Sequence, residues 1–234
     1  LGRSSAWFPL VGTLVGGLLS LPALLVPLPW SSLVGYALIL VVWVMVTRGF
    51  HLDGLADTAD GLGGATTTEK RLAIMKDSRV GVFGVLAVFC LLLLKFVFLA
   101  DLGALKRGGY LYIRALLAIP TLGRWGMLLG MFFFPAASTE GMGQLFKKNC
   151  RCRELLIGTV TALLVVLLTI GLWGFLIAGA VGLISVLLSL YFSCSLDGLT
   201  GDTYGALCET GELFGLLALT LLSRVITSLL CDPL

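Results

Sequence analysis

Apolar residues fall along this chain in long unbroken runs. They do not show the three-to-four spacing of a surface helix or the alternation of a half-buried strand. Seven runs stand out, at residues 7–29, 33–50, 82–101, 110–134, 155–172, 174–193 and 211–231. Each approaches the ~20 residues with which an α-helix crosses about 30 Å of hydrocarbon. No β-barrel alternation is visible, so the spans are expected to be helices. The pattern predicts an all-α, polytopic integral membrane protein of about seven transmembrane helices, with residues 1–234 as a single transmembrane domain.

Composition agrees. The chain is 58% hydrophobic and 12% charged, with a mean hydropathy of +1.04; soluble domains are about 45–50% apolar and about 25% charged. The lipid bilayer is therefore an expected partner. The formal charge of +3 is small and dispersed, so no nucleic acid partner is expected. The chain begins at Leu1 without an initiating Met, so residues are expected ahead of it. Its first run holds Pro9, Pro22, Pro27 and Pro29 behind a lone Arg3, which does not read as a cleavable signal peptide. Six cysteines are present. Cys90 sits in an apolar run, where it packs as a small hydrophobe. Cys150-Arg-Cys152 lacks the two-residue gap usual at zinc sites, and the chain has one His, so no structural zinc is expected.

Alternating the spans places the connections 51–81, 135–154 and 194–210 on one side. They carry Lys70, Arg71, Lys76 and Arg79, then Lys147, Lys148, Arg151 and Arg153. By the positive-inside bias this side is cytoplasmic and the C-terminus lies outside. The opposite connections, 27–32, 101–109 and 171–174, are short and poor in cations apart from Lys106 and Arg107. Gly12 and Gly16 have the small-xxx-small spacing that lets helices approach closely.

Three groups of polar residues carry candidate chemistry. The first is Asp53, Asp57 and Asp60 in His51-Leu-Asp-Gly-Leu-Ala-Asp-Thr-Ala-Asp-Gly61. On a helix these acids fall within about 60° of one another, on one face. A solvated helix end or an N-cap would explain one acid. Three on one face point to a divalent cation, and hard carboxylate oxygens suit Mg²⁺ or Mn²⁺. The second is Lys76-Asp77-Ser78-Arg79, either an interfacial charge cluster or a site part. In the latter reading Asp77 joins the metal set and is the candidate general base, while Lys76 and Arg79 hold phosphate oxygens. The third is Asp202, Glu209 and Glu212, on one helix side again, read as a loop with a cap or as a second cation or hydroxyl-binding element. Lys95 and Arg124 lie inside apolar spans, where a charge faces a polar cavity or an ionic partner. His51 precedes the acids and would point about 160° from Asp53 on a continuous helix; a lone His is more often scaffold than catalyst.

These motifs, with Ile74-Met-Lys-Asp-Ser-Arg-Val-Gly81, Thr200-Gly-Asp-Thr-Tyr-Gly-Ala-Leu-Cys-Glu-Thr-Gly-Glu212, Phe8-Pro-Leu-Val-Gly12 and Gly123-Arg-Trp125, resemble the cobalamin synthase family of adenosylcobinamide-GDP ribazoletransferases. The resemblance runs from about residue 7 to 220, with Gly123 where the family would have Ser before the Arg. It implies a transmembrane catalytic domain in the cell inner membrane, its active site facing the cytoplasm. It implies the last step of cobamide (vitamin B12) assembly, in which a hydroxyl of α-ribazole or α-ribazole 5′-phosphate attacks the cobinamide-side phosphorus of adenosylcobinamide-GDP and GMP leaves. Mg²⁺ is the implied cofactor. In that reading Asp53, Asp57, Asp60 and Asp77 form the catalytic and metal set. Lys76, Arg79, Arg124, Asp202, Glu209 and Glu212 bind substrate. The residues alone also admit a CDP-alcohol-type phosphotransferase of lipid synthesis and a divalent-cation transporter.

Overall fold

Large apolar side chains cover the outside of this molecule, and much of its polar chemistry is inside. In the computed structural model, which describes residues 2–24, 32–104, 111–137 and 142–231, a 3-10 turn leads into α1 (Phe8–Leu24). There follow α2 (Ser32–Thr47), α3 (Phe50–Gly64), α4 (Thr68–Met75), α5 (Val82–Ala104), α6 (Leu111–Phe133), α7 (Met142–Asn149), α8 (Cys152–Thr169), α9 (Gly174–Leu196) and α10 (Gly201–Cys231). Among the described residues there is no β-strand, only an isolated bridge between Ala136 and Leu199. Among the described residues six helices are long and apolar enough to cross a membrane, and α2 with α3 passes the same test as a bent pair, giving up to seven. The predicted polytopic all-α class is thus what the chain adopts. The exposed Val85, Leu86, Phe89, Leu93, Leu183 and Leu187 are the outward apolar surface that a bilayer covers.

Helix α6 is the axis. Over its most apolar stretch 78% of residues are buried, against 22% for α5 and α8. Helix α1 lies close against it because Gly12 faces the Pro120 carbonyl and Gly16 the Leu116 carbonyl, where a side chain would collide with backbone. Thr13 and Thr121 share a 2.9 Å hydroxyl hydrogen bond at this crossing. Helices α8, α9 and α10 complete the ring around α6, and α5 packs outside α3 and α10.

Two parts of the expected topology change. The connection expected at 51–81 is largely helical. Helix α2 ends in a Schellman turn: Gly49 N–H donates to Val44 O (3.0 Å) and Arg48 N–H to Met45 O (3.1 Å), with Arg48 and Gly49 both left-handed. The chain leaves α2 at 88° and re-enters helix as α3. The connection expected at 194–210 contracts to a short turn, because α10 begins at Gly201 and not near residue 211. A Thr200–Thr203 pair starts it, Thr203 N–H donating to Thr200 Oγ1 (3.2 Å) and Thr200 N–H to Thr203 Oγ1 (2.8 Å). The acids of this segment sit within a helix because partners neutralise the deepest of them. The connection expected at 27–32 lies almost wholly outside the described residues, as do residues 105–109 with Lys106 and Arg107 and the end of the Cys231-Asp-Pro tail.

Candidate active site

Helix α3 crosses the first turns of α10 at glycine. A Cβ added to Gly54 would lie 2.7 Å from the Asp202 carbonyl oxygen, and one added to Gly205 would lie 3.0 Å from the His51 carbonyl. With no side chain between the backbones, Asp202 comes beside Asp53 and Asp57. The four acids Asp53, Asp57, Asp60 and Asp202 lie close enough for Asp57 to feel the other three charges. Asp53 is exposed, and Asp57 and Asp202 are half-buried. Among the described residues no Lys or Arg pairs with any of these three. They form an uncompensated acidic set at one end of the bundle.

Asp60 belongs to the same helical face but has another task. Its carboxylate accepts the N–H of Gly81 (2.7 Å) and of Gly84 (2.8 Å), the first turn of α5. Both glycines leave room that a Cβ would take from the carboxylate. The acid therefore caps a neighbouring helix and meets the positive end of its dipole. Asp77 is also engaged. It accepts from Arg79 Nη2 (2.6 Å), Nε (3.1 Å) and N (3.0 Å), and this guanidinium holds its carboxyl down to about 2. A carboxylate so held is a weak base near neutral pH. Lys76 and Arg79 are exposed on the segment leading into α5; the Arg79 fork is shared with Asp77 through Nε and Nη2, and Lys76 makes no ion pair among the described residues.

Glu209 and Glu212 lie two to three turns inside α10, fully buried with Lys95 and Arg124. Lys95 Nζ donates to Glu209 Oε2 (2.6 Å) and Glu212 Oε2 (2.5 Å) and sits 4.6 Å over the Trp43 ring. Arg124 Nη1 donates to Glu212 Oε1 (2.9 Å) and to Pro120 O (3.0 Å). Two cations and two carboxylates make a neutral network. Gly123, in place of the expected Ser, lets α6 meet α10 here: a Cβ on it would lie 2.5 Å from Glu212 Cγ. Of the two roles considered for the intramembrane cations, an ionic partner is what Lys95 has. Arg124 has one too, and it also lines a cavity.

That cavity, of about 450 Å³, lies between α1, α3, α6, α7 and α10. His51, Asp53, Arg124, Asp202 and Tyr204 are its polar lining; Phe8, Met127, Met131 and Phe146 are among its apolar walls. A second hollow, of about 1050 Å³, lies between α3 and α5 and includes the exposed Val85 and Phe89. Asp53 lines both. His51 and Asp53, two residues apart near the start of α3, both line the first cavity. Tyr204 was not singled out by sequence, although its spacing of four from the buried Cys208 puts it on the inner face of α10.

The donor set fits a hard divalent cation in its chemistry: carboxylates without a protein cation, beside a cavity. As the side chains stand, no three His, Cys, Asp or Glu residues among the described ones converge as a metal-holding group.

Fold and site together define a multi-pass, all-helical membrane protein with an acid-lined cavity where two helices cross at glycine. The family model for cobalamin-5-phosphate synthase matches residues 1–220. The chain belongs to that family. Adenosylcobinamide-GDP ribazoletransferases from Desulfitobacterium hafniense and Ectopseudomonas mendocina are each 42% identical to it, over 92% and 94% of this chain and 85% and 88% of their own. The enzyme of that name from Roseiflexus sp. is 37% identical over 94% of this chain and 80% of its own. No solved structure matches.

Proposed function

We propose that this chain is the membrane transferase that joins adenosylcobinamide-GDP to α-ribazole or its 5′-phosphate, releasing GMP. The observation that carries the reading beyond family membership is the uncompensated set Asp53, Asp57 and Asp202 beside the cavity. A ribose hydroxyl forms a bond to the cobinamide-side phosphorus, the bond from that phosphorus to GMP breaks, and the hydroxyl proton passes to a carboxylate. Mg²⁺, held by Asp57 and Asp202, would neutralise phosphate charge. Asp53 faces both hollows and carries no protein cation, so it suits the proton better than Asp77, which Arg79 already holds. Lys76 and Arg79 bind phosphate oxygens at the exposed mouth. Asp60 fixes the first turn of α5 against α3. The Lys95, Glu209, Glu212 and Arg124 network holds Arg124 at the cavity wall.

Cations cluster at the site end, among them Lys70, Lys76, Arg79, Lys148, Arg151 and Arg153, all exposed. We place this end in the cytoplasm and the protein in the inner membrane. A cation transporter is disfavoured because its mid-span acids would need to be unpaired, and here Lys95 and Arg124 occupy them. The test is GMP release by the purified protein in lipid with adenosylcobinamide-GDP, α-ribazole and Mg²⁺. Activity with a CDP-activated lipid instead, or Mg²⁺ flux without turnover, would replace this reading with a rival.

A further inference from the structure

Three arginines share one hollow of about 320 Å³, lined by Arg3, Asn149, Arg151, Arg153 and Glu154. Arg3 belongs to the 3-10 turn Gly2–Trp7, which packs against α7 and α8 and so reaches the corner between those helices. All three arginines are exposed, and among the described residues none has an ion-pair partner. Glu154, the acid of the lining, is buried and accepts Arg151 N–H (3.1 Å), which commits it to the start of α8. The positive-inside bias accounts for cations on this side of the membrane. It does not require that residues from opposite ends of the chain meet in one concavity. The hollow shares no lining residue with the 450 Å³ cavity.

The place of the hollow selects the anion that fits it. The apolar spans of the first helix and of α8 start at Arg3 and Cys152, so the arginines stand at headgroup level. Exposed Trp7, at the end of the 3-10 turn, is a residue type enriched at that level. Arg153 heads a stripe of α8 that faces outward: Leu156, Val160 and Leu164 are exposed and fall within about 60° of it around the helix. A guanidinium fork pairs with two phosphate oxygens at once. We propose that this hollow binds an anionic phospholipid, its phosphodiester held by Arg3 and Arg153 and an acyl chain lying along Leu156, Val160 and Leu164. A soluble phosphate would meet the same guanidinium groups and leave the stripe unused. The site goes beyond the transferase reading and does not depend on it.

Native mass spectrometry of the full chain in detergent, with lipid titrated in, tests the site. On the wild type, phosphatidylglycerol should bind at least about tenfold more tightly than phosphatidylcholine, whose choline brings a cation among the arginines. Inorganic phosphate or GMP in millimolar excess should leave phosphatidylglycerol bound. Arg3→Gln/Arg153→Gln should weaken phosphatidylglycerol binding about thirtyfold, from a factor of about five for each cation near a headgroup and its gain on a bidentate pair. Arg151 is left in place because its backbone starts α8. Lys70→Gln/Lys148→Gln removes the same charge from exposed positions outside the hollow, and it should weaken binding less than about threefold. Equal losses in the two double variants would reduce the site to general charge attraction and overturn it. Equal binding of the two lipids by the wild type would overturn it with no variant needed. Displacement of phosphatidylglycerol by phosphate or GMP would assign the arginines to a soluble anion and overturn the lipid site.

Discussion

Replacing Lys95 with Met tests whether the buried network is a neutral unit. Met keeps the length and apolar stem of Lys but removes its charge. Lys95 is the cation between two carboxylates, and among the described residues it is the ion-pair partner of Glu209. Without it Arg124 faces two buried acids and the network carries one net negative charge. Removing one partner from a buried pair costs about 3–5 kcal/mol, because the other charge remains without compensation. The lost stacking on Trp43 adds about 0.5–2 kcal/mol. For a chain of this size 1 kcal/mol moves Tm by about 2–4 °C, so Lys95→Met should lower the midpoint by roughly 7–28 °C. The double variant Lys95→Met/Glu209→Gln has one cation and one carboxylate again, and it should regain at least half of that loss. The assay is thermal unfolding in detergent followed by size exclusion, with all variants heated at one rate. A Lys95→Met midpoint within 2 °C of wild type, or a double variant no more stable than the single one, would refute the neutral-network argument.

Asp60→Asn should lower stability by about 1–2 kcal/mol, the value of a helix cap, while retaining more turnover than Asp57→Asn; full inactivity at wild-type stability would return Asp60 to the metal set. Asp57→Asn and Asp202→Asn should each reduce GMP release about 10²-fold or more, with part of the activity recovered at raised Mg²⁺ and with insertion unchanged. Near-normal rates in both would remove the proposed cation site. In a Cys-free background, Thr66→Cys and Lys148→Cys should label from the cytoplasm and Trp173→Cys from outside; the reverse pattern in intact cells would invert the topology.

Much of the fold was legible because lipid imposes one rule on every span, and the runs at 82–101, 155–172 and 174–193 obey it. Helix α10 broke the rule at its start. A run-length reading cannot see that Glu209 and Glu212 meet Lys95 and Arg124 from distant helices, so it counts the turns before residue 211 as loop. The bend between α2 and α3 was equally hidden: Arg48 takes a left-handed conformation that its residue type does not announce. At the site, helical spacing correctly grouped Asp53, Asp57 and Asp60 on one face. Spacing describes a single helix, however, and what separates Asp60 from the other two is the first turn of α5. Asp202 shows the converse. It lies about 145 residues beyond Asp57, and two glycines at the crossing bring it into the set.

The two acidic groups differ in a way that the membrane requires. Glu209 and Glu212 sit in the packed interior, where an unpaired carboxylate costs several kcal/mol, and each is matched by a cation from α5 or α6. Asp53, Asp57 and Asp202 lie at the end of the bundle beside a cavity, where water and a mobile cation can reach them, and no protein cation is spent on them. A chain that could neutralise its inner acids could have neutralised these with one more Lys or Arg. The cations at this end are instead exposed, and Arg79 takes Asp77, outside the three acids at the crossing. An arrangement that leaves charge uncompensated only where ligand can enter is what phosphoryl transfer between two bound molecules needs. Arg124 joins the two groups physically: it is fixed from behind by Glu212 and lines the cavity in front. Loss of the inner network should therefore reach the site through the position of this guanidinium as well as through stability.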